Sequence, residues 1–110
     1  MNILGEQYLS VTAKISAIQR YIIIHSILYY VKDTSVISDK EFDKVARDLV
    51  KYKRLQKEAY KKSDYFYCMK DFDGTTGFDL YDRLTKSDKV YLSKIADYIL
   101  FLRRENGNGN

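Results

Sequence analysis

Proline and tryptophan are absent, and glycine occurs only five times, with Gly107 and Gly109 close to the chain end. An all-β fold turns its corners on such residues, so their scarcity favours long helices. Cysteine occurs once, at Cys68, which excludes an intrachain disulfide. One cysteine and one histidine, His25, also cannot supply the tetrahedral set of a cysteine-rich zinc site. Long hydrophobic runs are missing as well. Unbroken apolar stretches such as residues 27–31 last a few positions, far short of a membrane span. Glu6, Lys14 and Arg20 interrupt any signal-peptide-like run, so the expected setting is reduced and cytoplasmic.

What remains is the composition of a globular protein: 45% hydrophobic and 31% charged residues, with 11 tyrosines and 5 phenylalanines among the 110 positions. That much aromatic and aliphatic surface offsets the cost of ordering the chain. A chain of this length builds one core, so a single helical domain is expected over 1–105, with a disordered polar tail over 106–110.

The net charge of +4 conceals a segregation. Residues 1–39 are neutral, 40–62 carry +5, 63–82 carry −4 and 83–110 carry +3. Charge runs are usually solvated surface, which here means two basic helices flanking an acidic loop.

Periodicity predicts a first helix over about 6–31, with Tyr8, Val11, Ile15, Ile18 and Ile22 on one face. Its end is apolar nearly all round (Ile22, Ile23, Ile24, Ile27, Leu28), as burial on several sides requires. Asp33, Thr34 and Ser35 then form a turn, and Ser38 with Glu41 has capping-box spacing. A second helix should start near Asp39 and run to about Lys61, with Phe42, Val45, Leu49 and Tyr52 inward, and Phe42 and Leu49 as buried core. Residues 65–69 read as a short extended run, and 73–77 as a turn. Thr85 caps a last helix whose inner face carries Leu92, Ile95, Ile99 and Leu102. The expected fold class is therefore mainly α, a helical hairpin plus a C-terminal helix.

The most specific stretch is Tyr29-Tyr30-Val31-Lys32-Asp33-Thr34-Ser35-Val36-Ile37-Ser38-Asp39-Lys40-Glu41-Phe42-Asp43. It resembles, without a gap, the N-terminal Ia domain of bacterial NAD-dependent DNA ligases. The resemblance covers about residues 15–55, and His25, four positions before Tyr29, belongs to it. It implies a helical hairpin that grips the nicotinamide mononucleotide half of NAD. Carried over by position, it assigns Tyr29, Tyr30, Asp39, Phe42 and Asp43 to cofactor binding. The family's proline is Ser35 here and its tyrosine is Phe42, so one turn is looser and one hydroxyl is gone. The spacing suits such a ligand independently. Asp39, Phe42 and Asp43 lie at i, i+3 and i+4 on one helix face, and an aromatic flanked by acids attracts a planar cation. The structural alternative is simple helix packing by the aromatics, with the acids favouring the helix start.

Other signals are weaker. Lys70-Asp71-Phe72-Asp73-Gly74 has one residue too many for the nucleotidyl-transfer lysine motif, and no chain remains for the sheet that motif needs. The chain is accordingly expected not to be an enzyme. His25 reads as a hydrogen-bonded core residue, and Cys68, among aromatics and acids, as an unactivated thiol. Gly74-Thr75-Thr76-Gly77 lacks the lysine of a phosphate loop. Lys51, Lys53, Arg54, Lys57, Lys61 and Lys62 offer a basic face for nucleic acid. The segment 64–82, acidic and rich in aromatics, offers a protein-binding surface through Asp71, Asp73, Asp79, Tyr65 and Tyr67.

Three functions follow as expectations. The first is a protein-binding inhibitor or regulator that keeps the Ia-like fold, of the kind a phage would direct at a host ligase or defence nuclease. The second is a module binding NAD or nicotinamide mononucleotide and completing a ligase core in trans. The third is a nucleic-acid-binding accessory protein.

Overall fold

Ile15 and Ile22, two turns apart on the face predicted from periodicity, are fully buried, and so are Ile23, Ile27 and Leu28 on neighbouring faces. A helix that is apolar on several sides belongs in the middle of a fold. In the computed structural model, which describes residues 3–108 and the side chains of 11–106, it is there. Helix α1 (Ile3–Ser26) packs against α2 (Asp39–Leu55), α3 (Lys57–Lys61), α5 (Leu80–Arg83) and α6 (Lys86–Asn108), while α4 (Phe66–Met69) packs on α5. One hydrophobic cluster runs through all six. The described residues contain no strand. Tyr8, expected on the inner face of α1, lies outside the described side chains.

The first helix ends where its periodicity ends, but its last turn, Ile27–Val31, is a wider π turn. The backbone N–H of Lys32 donates to Ile27, five residues back, and that of Thr34 to Leu28. Asp33 has a φ of 53°, a left-handed conformation that aspartate tolerates and that stops the helix. Ser38 then caps α2 by accepting from the backbone N–H of Glu41 at 3.1 Å, at the expected place.

Three expectations need correction. The second helix breaks at Gln56 (φ −123°, ψ 56°), so residues 57–61 form a separate short helix instead of its last turn. The break turns Ala59 and Tyr60 into the core. Residues 65–69 are a helical turn and not extended. Tyr65, Cys68, Met69 and Phe72 are all buried, which is one helix face, and the carbonyl of Tyr65 accepts from the N–H of both Cys68 and Met69. The last helix, capped by Thr85 through the N–H of Asp88, continues to Asn108, so 106–108 are helical. Gly109 and Asn110 lie outside the described residues. On α6 the expected inner face is graded, from fully buried Leu92 through half-buried Ile95 and Ile99 to exposed Leu102.

A buried polar network ties residues 63–65 to α1. Gln19, completely buried, donates through Nε2 to Ser63 Oγ at 2.8 Å and accepts from the backbone N–H of Tyr65 at 3.2 Å. Ser16 Oγ accepts from the N–H of Asp64 at 2.9 Å. No described helix is long and apolar enough to cross a membrane.

Candidate functional site

The end of α1, the 33–38 linker and the start of α2 enclose a cavity of about 280 Å³. The π turn contributes Tyr29 and Tyr30, and the first turns of α2 contribute Asp39, Phe42 and Asp43. All five residues assigned from the sequence therefore line one cavity. Phe42, expected in the core, is half-buried, because part of its ring faces this space, whereas Leu49 is fully buried as expected.

The two tyrosines are exposed, and their rings meet edge to face at 4.8 Å. Tyr30 meets Phe78 in the same way at 5.4 Å, and its hydroxyl lies 3.1 Å from Thr76 Oγ1. Ser35 stands at the family's proline position, and its hydroxyl donates to the Ile37 carbonyl at 3.0 Å. That bond restores locally some of the turn rigidity that a proline would supply. Behind the linker, Arg103 of α6 donates to the Val36 carbonyl at 3.2 Å.

Residues that sequence reasoning did not assign complete the wall: His25 and Ser26 from α1, linker residues 35–38, and Thr75 and Thr76 from the loop before α5. The threonine loop is docked by two glycines. Gly77 lies so close to Ser26 that a Cβ there would fall 2.0 Å from its Oγ, and Gly74 has a φ of +87° against Val50. Within the loop, Asp73 accepts from both the N–H (3.0 Å) and the hydroxyl (2.6 Å) of Thr75. The Thr75 hydroxyl, then its N–H, lowers the Asp73 pKa. The turn chemistry of 73–77 was visible in the sequence, but nothing local tells which surface the turn meets.

His25 differs from the expectation of a satisfied core histidine. It is half-buried, its ring lies 4.4 Å from that of Tyr21, and its buried Nδ1 has no hydrogen-bond partner among the described residues. Burial lowers its pKa, with the Glu41 carboxylate pulling the other way. Cys68 is buried and donates to the Tyr65 carbonyl, and burial pushes its thiol up to about 11, so it carries no activated thiolate.

The residues assigned to partner binding separate. Tyr65 is buried and bonded through its backbone to Gln19, so it cannot anchor a partner; its position on the inner face of the 65–72 turn decides this. Tyr67 is exposed, but its hydroxyl donates to Asp88 and accepts from the N–H of Thr85, bracing the start of α6. Asp71, Asp73 and Asp79 are exposed, with Asp79 paired to Arg83 at 2.9 Å. The basic residues divide at Gln56. Lys51, Lys53 and Arg54 stay on α2, while Lys57 and Lys61 sit on α3 with Lys62 following it. Lys53 donates to the Phe72 carbonyl at 3.0 Å, and Lys61 pairs with Glu58.

Comparison with curated proteins and with solved structures returned no match. A family model does match, over a span that holds the hairpin and all five assigned cavity residues and ends before Thr75 and Thr76. Residues 9–59 match the family described as DNA ligase-like, N-terminal NAD+-binding domain, so this part of the chain is similar to a ligase Ia domain.

Proposed function

We propose that the protein is a non-catalytic binding module for the nicotinamide half of NAD. The observation that carries this reading is the convergence of Tyr29, Tyr30, Asp39, Phe42 and Asp43 on one cavity. Aromatic faces stack on a planar ring, and the two carboxylates attract its positive charge. A hydroxyl at Phe42 is not needed for stacking. The module would act beside a separate ligase core, to which it presents the nucleotide. Isothermal calorimetry with NAD and with nicotinamide mononucleotide tests the reading. Binding that is weakened by Tyr29→Ala and by Asp39→Asn supports it, and no heat at about 1 mM ligand, the edge of weak affinity, rejects it.

A second reading, a protein-binding inhibitor or regulator, is favoured by the exposed carboxylates of Asp71, Asp73 and Asp79 in a segment that also exposes Tyr67 and Phe78. Such a rim would steer a basic partner. Affinity capture from the native host would supply the partner. Reversing all three charges should slow its association and flatten the salt dependence, and unchanged binding across a salt series discards this surface.

A further inference from the structure

The apolar surface left uncovered by the fold is concentrated on its last helix. Five of the eleven large apolar side chains exposed among the described residues lie on α6: Val90, Tyr91, Tyr98, Phe101 and Leu102. The rings of Tyr98 and Phe101 stack side by side, with centroids 6.3 Å apart and planes 21° from parallel, so they form one flat aromatic surface. Residues 101–106 are helical, yet every one of them is exposed. A helix end keeps its shape in water mainly by packing an apolar face, and the inward bond of Arg103 to the Val36 carbonyl covers neither Phe101 nor Leu102.

The charges around this surface name what covers it. Lys94, Tyr98, Phe101 and Glu105 follow one another at four-, three- and four-residue steps, so they form one stripe along the outer side of the helix. The spacing reads the same in both directions, with opposite charges at its two ends. Both charged residues are exposed, and neither has an ion-pair partner among the described residues. We propose that this stripe is a self-complementary seam through which two copies of the chain pair, α6 against α6 and antiparallel. A two-fold axis midway between Tyr98 and Phe101 sets Lys94 of each copy against Glu105 of the other, and Tyr98 against Phe101. Such isologous contacts are the commonest way in which a chain pairs with itself. A parallel pair in register would set Lys94 against Lys94 and Glu105 against Glu105, and like charges facing each other oppose it. The charges on other sides of α6 are engaged within the chain, Asp97 with Lys32 at 3.0 Å and Arg103 with Val36, so the seam forms without disturbing the wall of the cavity. The seam is small. A stable interface takes roughly 20–30 residues a side, so this dimer is a transient one, with a dissociation constant on the order of 100 μM.

Sedimentation of the full chain across a concentration series at low salt tests the pairing, and circular dichroism verifies the helices of each variant. Lys94→Glu alone, or Glu105→Lys alone, turns both attractive pairs of the dimer into repulsive ones and should weaken it about tenfold. The two substitutions together restore opposite charges across the axis and should bring the parent affinity back. Tyr98→Ser with Phe101→Ser should abolish the dimer and leave the melting temperature of the monomer unchanged, since both rings are exposed. A chain that stays monomeric at about 1 mM, ten times the expected constant, overturns the proposal. A dimer indifferent to both single reversals overturns it as well, because the contact then lies on another surface. A doubly reversed chain that stays helical and fails to regain the parent affinity rejects the antiparallel register. Each of these outcomes is independent of whether the cavity takes nicotinamide.

Discussion

Gly77 shows how much one side chain can decide. A Cβ at this position would lie 2.0 Å from Ser26 Oγ and 2.9 Å from its Cβ, and the Ser26 hydroxyl is already bonded to the Ile22 carbonyl. Gly77→Ala must therefore push the threonine loop off α1. Overpacking of this kind costs about 1–3 kcal/mol, readable as a lower melting temperature, and it should weaken nicotinamide binding as the wall opens. Tyr60 offers a test by titration. It is buried, its hydroxyl donates to the Met69 carbonyl, and burial lifts its pKa to about 12. The unfolded chain ionises this phenol near 10, so the unfolded state holds fewer protons between the two values and stability falls as pH rises through that window. Cys68, raised to about 11, adds a loss of the same sign beginning near 9. Tyr60→Phe should flatten the upper part of the alkaline loss. It should also cost about 1–3 kcal/mol at neutral pH, because the Met69 carbonyl loses its donor. His25 acts at the other end. Its lowered pKa means that the unfolded chain binds the proton first, so its contribution is present above about 6.5 and fades as pH falls through the folded value. Urea titrations of the parent and of His25→Gln across pH 5 to 7 would separate its contribution.

At the scale of the element, α2 carries both the fold and the site. Its apolar side packs on α1 through Ala46 and Leu49, while its first turn presents Asp39 and Asp43 to the cavity. Ser38 holds that turn in place. Ser38→Ala should cost about 1 kcal/mol of stability, the usual worth of an N-cap. Frayed carboxylates should also bind a pyridinium more weakly, so calorimetry and thermal melting should move together. The cap and the start of α2 were legible because a capping box spans only four residues. The break at Gln56 was not. Lys57 to Lys61 has ordinary helical propensity, and the chain turns there because Tyr60 gains more buried in the core than on a straight continuation. Residues 65–69 depart from the extended expectation for a related reason. A run of aromatics suits a strand as well as a helix, and only the burial of Tyr65, Cys68, Met69 and Phe72 on one side separates the two.

Across the whole molecule, α1 is the axis, and the second half of the chain is fastened to it by polar as well as apolar contacts. Gln19 sits among apolar residues and is fully buried because Ser63 and the Tyr65 amide satisfy its side chain. Gln19→Ala leaves both partners without it and should cost about 1–3 kcal/mol. The midpoint of urea unfolding should fall while its slope stays unchanged, since the same surface is exposed on unfolding. A changed slope would mean that the segment from 63 onward detaches separately. The molecule is elongated, 48 × 31 × 29 Å, because α1 and α6 are 24 and 23 residues long.

The sequence by itself determined what depends on neighbours within about four positions. The buried face of α1, the caps at Ser38 and Thr85, and the shared helix face of Asp39, Phe42 and Asp43 are all set by the pitch of a helix. The pairing of the tyrosines with that face came from a gapless family pattern spanning a short turn. Tertiary structure decided what depends on segments far apart. Tyr30 meets Thr76 across 46 positions, and Gln19 meets Ser63 across 44. Which surface the threonine loop covers and whether Tyr65 faces in or out follow from those meetings. Local periodicity carries no information about them, because closing a long loop is governed by whether distant surfaces fit and not by the spacing of residues within either one.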